Sequence, residues 1–358
     1  MLTKLRVGII GATGMVGQKF ITLLQNHPWF EVKLVAASKN SANLTYEEAV
    51  KNRWKMKEPI PENIKNLIVK DASNVADNCK EVDFVFCAIS LNKEDTKKLE
   101  EEYAKNETPV ISNNSANRYI DDVPMLIPEI NYNHINAIES QKKRLGTKKG
   151  FIVVKPNCSI QTYVPALTPL LKYDIESILA CTYQAISGSG KTFKECPEIL
   201  DNVIPYIPGE EEKSEKEPLK IWGHLENNLI VNAQKPIITT QCIRVPVENG
   251  HLAAVYVKFK EKVTKEEIIK IWNEFEVPEL VKSLPSSPKN FIKYMHEENR
   301  PQTNIDRDFG NGMGITIGRL REDSIFDFKF VSLSHNTIRG AAGGGILSAE
   351  LLKVTGYL

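Results

Sequence analysis

Cys158 follows Phe151-Ile152-Val153-Val154, an apolar, β-branched run that reads as a buried strand. Pro156 stops that run, because proline has no N–H for a ladder and restricts the residue before it. The thiol therefore lies just past a strand end. Residues from there through Leu171 are apolar and long enough to start a helix, which predicts the sulfur near a helix N-terminus. Unpaired N–H groups and the positive end of the dipole there favour a thiolate, which suits a nucleophile. The plainer alternative is a small buried thiol without chemical consequence.

A second constellation opens the chain. Leu5-Arg6-Val7-Gly8-Ile9-Ile10 reads as a strand, Gly11-Ala12-Thr13-Gly14-Met15-Val16-Gly17 as the turn after it, and Val16, Phe20, Leu23 and Leu24 then recur at helical spacing. Glycines between a strand and a helix permit a tight turn and close backbone approach to a pyrophosphate seated on the helix N-terminus. The spacing is Gly-x-x-Gly-x-x-Gly rather than Gly-x-Gly-x-x-Gly, so an ordinary glycine-rich turn is the alternative. The next strand, Val32 to Ala37, ends at Ser38-Lys39-Asn40-Ser41, where an NAD enzyme usually carries an acid for the ribose 2′-hydroxyl. No acid stands here. The hydroxyls of Ser38 and Ser41 with Lys39 suit a 2′-phosphate and favour NADP, against a polar loop that merely solvates the strand end.

The elements that must position these groups fall into two kinds. Strands at Val82 to Ile89 and Pro109 to Ser112, separated by a charged helical segment from Lys93 to Ala104, predict a parallel sheet covered on both faces. After Cys158, segments near 178–186, 237–245, 252–259, 313–319 and 326–333 are strand-like, with helical periodicity chiefly at 265–275, which predicts a mixed or antiparallel sheet. A boundary is expected near 156. The fold class is α/β, with an N-terminal Rossmann-type parallel-sheet domain over 1–156 and an α+β domain with a mixed sheet over 157–334. The small residues Gly340 to Gly345 would let a last helix pack very closely on another backbone.

Composition bounds the partners. The 358 residues suffice for two domains, and 42% hydrophobic content is ordinary for a globular protein. With 46 basic and 45 acidic residues the formal charge is +1, so no overall field recruits nucleic acid or an anionic membrane. The start of the chain shows no leader pattern and no run is long enough to span a bilayer, so a cytoplasmic protein is expected. Six cysteines without a Cys-x-x-Cys pair argue against a zinc ribbon or a disulfide scaffold, and no metal is expected.

Taken together, Gly11-Ala12-Thr13-Gly14-Met15-Val16-Gly17, Pro156-Asn157-Cys158-Ser159, Gln184-Ala185-Ile186-Ser187-Gly188, Arg244-Val245-Pro246 with Gly250-His251, and Ser334-His335-Asn336-Thr337 resemble the aspartate-semialdehyde dehydrogenases, most closely their archaeal and fungal branch. The resemblance runs from about residue 5 to the C-terminus. It implies NADPH-dependent reduction of 4-aspartyl phosphate to aspartate 4-semialdehyde with release of phosphate, on the route to lysine, methionine, threonine and isoleucine. It also implies a homodimer or homotetramer, catalysis and dimerisation in 157–334, and a C-terminal helix, 335–358, that returns to complete the first domain.

By the same resemblance Cys158 is the nucleophile and His251 its acid/base partner, for which an ordinary imidazole pKa of about 6.5 is suited. Gln184 orients the substrate, and Arg244 takes its α-carboxylate, since a planar guanidinium binds a carboxylate bidentately. Arg118 and Lys213 bind phosphate with help from Asn157. Glu210 faces the substrate ammonium, although Glu210, Glu211 and Glu212 are consecutive and a solvated acidic loop is an alternative. Gly11, Thr13, Gly14, Met15, Val16 and Gly17 hold the cofactor phosphates, Ser187 and Gly188 lie near the nicotinamide, and Asn336 is a further cofactor contact. Two rival readings stand beside this one. Malonyl-CoA reductases share the thioester logic but differ at the residue before the cysteine, where Asn157 matches the phosphate-using enzymes. A non-catalytic NADP-binding regulatory protein is disfavoured by Cys158, Gln184, Arg244 and His251 occurring together.

Overall fold

Strands that are apolar on both faces must be covered on both faces, and the first half of the chain builds the sheet this requires. The computed structural model describes residues 3–358; Met1 and Leu2, which open the run read as leading into the first strand, lie outside them. Strands β1 (Leu5–Ile10), β2 (Phe30–Ala37), β3 (Lys70–Asp71), β4 (Phe84–Cys87), β5 (Val110–Ser112) and β6 (Ile152–Val154) form a six-stranded sheet in the order β3-β2-β1-β4-β5-β6. All its pairings are parallel. The order reverses between β1 and β4, where open α/β sheets leave a ligand crevice at the carboxyl ends of their strands. Helix α1 (Met15–Leu24) follows the glycine turn and buries Phe20, Ile21 and Leu24, with Phe20 stacked on Phe86 at 4.3 Å between ring centroids. The charged helix expected from Lys93 runs to Lys105, capped by Asn92, whose side chain accepts from the Asp95 N–H.

The second sheet is mixed, as its patterning implies. It contains β7 (Ile175–Gln184), β10 (Ile237–Arg244), β11 (His251–Phe259), β12 (Ile292–Met295), β13 (Ile315–Glu322) and β14 (Phe328–Ser334) in the order β10-β7-β11-β14-β13-β12; β8 (His224–Glu226) and β9 (Leu229–Val231) form a separate hairpin. Its central pairs are antiparallel, and its two edge pairs, β10 with β7 and β12 with β13, are parallel. β11 alternates strictly, burying His251, Ala253, Val255, Val257 and Phe259 and leaving the residues between them half-buried. Among the described residues, only β12, β3 and the β8–β9 hairpin have no counterpart in the sequence expectations.

Two helical expectations differ. No continuous helix follows Cys158: the chain makes short turns over Ser159–Gln161, Val164–Leu167 and Thr168–Tyr173, because Pro165 and Pro169 interrupt the ladder. Conversely, Glu210–Ile221 is a twelve-residue helix whose buried positions include Glu210, Ser214, Glu217 and Lys220. Its inward face is largely polar, so apolar periodicity never marks it.

The C-terminal segment forms a widened helical turn over Ile338–Ala342 and then a helix, Gly343–Val354, buried through Leu352. It packs against β5 and α1. Glycine is required for this approach: a methyl at Gly345 would stand 2.9 Å from Phe20 Cζ, and one at Gly340 would stand 2.7 Å from Cys158 Cβ. Arg339, 1% exposed, donates to Glu129 Oε2 at 2.7 Å and to Gln161 Oε1 at 3.1 Å, with its guanidinium 5.0 Å from the Phe291 ring centre. No helix among the described residues is long and apolar enough to cross a membrane. Replacing Glu129 by Ala leaves the Arg339 charge buried and unpaired, which should cost about 3–5 kcal/mol of stability in urea melts. A loss below about 1 kcal/mol would show that the pair does not anchor the segment.

Candidate active site

The cysteine turn is fastened by Asn157. Its backbone N–H donates to Glu217 Oε2 at 2.6 Å, its Oδ1 accepts from the Ser159 N–H at 2.8 Å and hydroxyl at 2.6 Å, and its Nδ2 donates to both Glu210 oxygens at 3.1 and 2.9 Å. All the hydrogen-bonding groups of the side chain are thus tied down, and Cys158 is held over the end of β11. His251, the first residue of that strand, places Nε2 3.4 Å from Cys158 Sγ. Its other nitrogen, Nδ1, accepts from the Ala185 N–H at 3.0 Å. Because an N–H occupies Nδ1, the neutral ring carries its hydrogen on Nε2, facing the sulfur.

The protonation states differ from those expected. Burial pushes the Cys158 thiol up to about 11, aided by Glu210 and opposed by Lys155, Arg118 and Arg244. Burial, then the charge of Arg244, pushes His251 down to about 3. The ordinary imidazole value therefore does not apply, and no helix dipole of useful length faces the sulfur to favour its anion. The resting pair is a thiol and a neutral imidazole, with neither ion stabilised by the other.

Arg244 ends β10 and is buried; its Nη1 donates to the Ala185 carbonyl at 2.8 Å, and no carboxylate among the described residues is at ion-pair distance. A planar cation held beside the sulfur without a counter-ion is suited to receive one. Gly188 closes the same corner: a methyl there would stand 2.9 Å from Arg244 Nη1 and 3.0 Å from His251 Nε2.

Of the three consecutive glutamates only Glu210 reaches this site. Burial pushes its carboxyl up, but Lys213, Asn157 and Gln184 outweigh burial and hold it below the ordinary range. Gln184 Nε2 donates to Glu210 Oε2 at 3.3 Å and to Thr182 Oγ1 at 3.2 Å. Glu211 instead accepts from the Cys242 N–H, and exposed Glu212 pairs with Lys216. Arg118 and Lys213 are each paired with a carboxylate of the same helix, Arg118 with Glu217 at 2.8 Å and Lys213 with Glu210 at 2.8 Å. Glu217 had no sequence signal of its own, yet it joins the cysteine turn to Arg118. Lys220 supports the same loop by donating to the carbonyls of Arg118 and Ile120 at 2.8 and 2.6 Å.

The glycine turn fits a dinucleotide. Gly11 has φ +88°, and a methyl on it would stand 2.6 Å from the Ala88 carbonyl; one on Gly17 would stand 2.3 Å from Gly11 O. A methyl on Gly14 would meet nothing nearer than 3.5 Å, and the first turn of α1 has no acid to repel a phosphate. Thr13 and Val16 complete the turn, and Met15 lines a cleft of about 290 Å³ shared with Lys19, Ser187, Lys191, Arg307 and Thr337. At the end of β2, Ser38 is exposed, whereas Ser41 is buried with its hydroxyl accepting from Arg53 Nη2 at 3.1 Å. Arg53, absent from the sequence reading, is thus a further cation at that strand end. Asn336 has both ends of its amide engaged within the protein, Oδ1 with the Gly250 N–H and Nδ2 with Ser187 Oγ, each at 2.8 Å. It braces the cleft wall. Among the described residues no cluster of three or more His, Cys, Asp or Glu is arranged to hold a metal ion.

Comparison with known proteins bears on the family of the chain. Residues 6–138 match the model of the semialdehyde dehydrogenase NAD-binding domain, and 167–339 that of the semialdehyde dehydrogenase dimerisation domain. The chain is 41% identical to an aspartate-semialdehyde dehydrogenase of Archaeoglobus fulgidus over 346 residues, covering 97% of each, and 38% identical to one of Aspergillus fumigatus over 364 residues, covering 99% of each. A crystal structure of the aspartate-semialdehyde dehydrogenase of Candida albicans with NADP is similar at a TM-score of 0.86 and 36% identity, over 99% of this chain and 100% of that one.

Since Gly188 touches both Arg244 and His251, Gly188→Ala should lower kcat/KM about a hundredfold while the thermal midpoint changes little. Unchanged kinetics would mean that neither side chain needs its observed position.

Proposed function

The chain belongs to the aspartate-semialdehyde dehydrogenase family, and on that premise we propose how its residues divide the reaction. The protein is an NADP-dependent oxidoreductase that converts 4-aspartyl phosphate to aspartate 4-semialdehyde and phosphate, reversibly, in amino-acid biosynthesis. The observation that carries the assignment of roles is the thiol of Cys158 at 3.4 Å from His251 Nε2, beside the uncompensated guanidinium of Arg244.

The Cys158 sulfur attacks the acyl carbon of the substrate, the carbon–oxygen bond to phosphate breaks with its electron pair, the thiol proton leaves with the departing phosphate, and a thioester remains. Bound NADPH supplies the reducing equivalent that takes this thioester to the aldehyde level. His251 acts through its Nε2–H, which points to where the substrate oxygen becomes anionic; a hydrogen bond from a neutral imidazole stabilises that oxygen without the ring having to store a second proton. Collapse of the tetrahedral adduct returns the electron pair to sulfur. Arg244 binds the α-carboxylate, Glu210 the ammonium with Gln184 and Asn157 aligned on it, and Arg118 and Lys213 turn from their carboxylates toward the phosphoryl oxygens. Gly11 to Gly17 hold the cofactor pyrophosphate, and Ser38, Ser41 and Arg53 receive its 2′-phosphate.

In this reading 1–156 with 335–358 hold the cofactor and 157–334 carry catalysis and dimerisation. The enzyme is a cytoplasmic homodimer, or a tetramer built from such dimers. Support for self-association comes from the outer face of β7 and β11, where Tyr183 is 37% exposed and Leu179, Leu252 and Tyr256 are half-buried in the single chain.

NADPH formation from aspartate semialdehyde should depend on phosphate and should not be restored by coenzyme A; the reverse dependence would point to a CoA-linked reductase. Cys158→Ala should abolish turnover with NADP binding intact, and a near-normal rate would remove the mechanism. Arg244→Lys should raise KM for the semialdehyde about tenfold or more, because one point charge replaces a fork, whereas equal kinetics would place the carboxylate elsewhere.

A further inference from the structure

Lys55 lines the cofactor cleft from the first half of the chain and binds the half that carries the mixed sheet. Its Nζ donates to the Gly190 carbonyl at 2.7 Å and pairs with Glu195 Oε1 at 2.8 Å. The backbone beneath this ammonium is fastened too. The Lys55 N–H donates to Gln18 Oε1 at 2.7 Å, and Gln18 Nε2 donates to the carbonyls of Thr13 and Arg53 at 2.9 and 2.8 Å. Gln18 is fully buried on α1, so the glycine turn and the backbone of Lys55 are fixed to one another through its amide.

The other end of the contact is a short turn with two jobs. Glu195 Oε2 accepts from the Thr192 N–H at 2.9 Å and hydroxyl at 3.0 Å, so this carboxylate closes its own loop while its other oxygen holds Lys55. Gly190, at φ +72°, ends the turn Ile186–Ser189, and its N–H donates to the Ser187 carbonyl at 2.9 Å. Ala185 opens the same turn: its N–H donates to His251 Nδ1, and its carbonyl accepts from Arg244 Nη1. Gly188, inside the turn, is packed so tightly that a methyl on it would stand 2.9 Å from Arg244 Nη1. An ion pair with one exposed partner holds little by itself, and these side chains are 16% and 45% exposed. The added bond from the ammonium to a main-chain carbonyl, and the fixed backbone behind it, supply what the pair lacks.

We propose that Lys55 is a positioning residue for the substrate: by gripping Gly190 and Glu195 from the cofactor side, it holds the 185–190 turn where that turn aims Arg244 and His251. Lys55 acts through the turn and touches neither of those side chains. This assignment rests on the roles given above to Arg244 and His251. The rival use of the ammonium is as a ligand of a cofactor phosphate, since Lys19, Lys191 and Arg307 line the same cleft. The two uses have opposite signs at Glu195. Removing its charge loosens a positioning contact, whereas it frees a phosphate ligand from a competing carboxylate.

Lys191 and Lys194 are exposed on the gripped loop, so trypsin cleavage after them in the full-length enzyme, followed by mass spectrometry, reads how firmly the loop is held. Lys55→Met should speed that cleavage about tenfold and raise KM for aspartate semialdehyde about fivefold, with kcat changed less. Lys55→Arg keeps a donor for both partners and should return both readouts most of the way. Glu195→Gln should move both in the same direction by less, and should add nothing in the Lys55→Met background. Either change in Lys55→Met without the other, or neither, would overturn the proposal. So would a Glu195→Gln variant that binds NADP more tightly in a fluorescence titration while its KM for the semialdehyde is unchanged, since that is the signature of a phosphate ligand. Should the Met variant not fold, Glu195→Gln alone decides by the same readouts. If Arg244→Lys leaves KM unchanged, the carboxylate assignment itself fails; if Arg244→Lys raises KM and Lys55→Met does not, only the role of Lys55 is lost.

Discussion

A backbone N–H aimed at one nitrogen of His251 constrains everything around it. With Ala185 donating to Nδ1, the ring presents a hydrogen to the sulfur, and a second proton on the ring would break that bond. Burial reinforces that constraint by penalising every charged form at once, so the thiol and the imidazole are both neutral at rest. Burial thus works against a preformed thiolate–imidazolium pair at rest. The site must rely on fixed donors and on cations placed near the reacting atoms, and Arg244 and Arg118 supply them.

Those cations come from different parts of the fold, which explains why so much architecture converges on one turn. Arg244 ends an edge strand of the mixed sheet, Arg118 sits on the loop beyond β5 of the parallel sheet, and Cys158 follows β6. The helix Glu210–Ile221 gathers them: Glu217 binds the Asn157 N–H and Arg118, while Glu210 binds Asn157, Gln184 and Lys213. The C-terminal segment closes the far side, where Gly340 and Gly344 leave space for Cys158 and Lys155, and the buried Arg339–Glu129 pair fixes its position.

The sequence revealed most where physical constraints are local. A glycine turn between a strand and a helix, and a proline after an apolar run, mark backbone that only a few conformations satisfy, and Gly11 to Gly17 and Pro156 to Cys158 are placed as their spacing implies. The polar helix escaped notice because its buried positions, Glu210, Ser214, Glu217 and Lys220, are those a hydrophobic pattern assigns to solvent. Glu217 could not be singled out for the same reason. Its role arises from partners 60 or more residues away. The pKa expectations failed for a related cause: ordinary values describe a hydrated group, and the depth of burial of Cys158 and His251 is set by the closure of two sheets and the C-terminal segment. Pro165 and Pro169, by contrast, were visible in the sequence and outweigh the apolar character that suggested a continuous helix after Cys158.

The central claim is that the acyl group passes through a covalent bond to Cys158. Intact-protein and peptide mass spectrometry of enzyme mixed with aspartate semialdehyde and NADP in the absence of phosphate tests it most directly, since without phosphate the acyl-enzyme has no acceptor but water. The account predicts an aspartyl adduct confined to Cys158 that disappears when phosphate is added. An adduct on another residue, or turnover at full rate with Cys158 never modified, would contradict it.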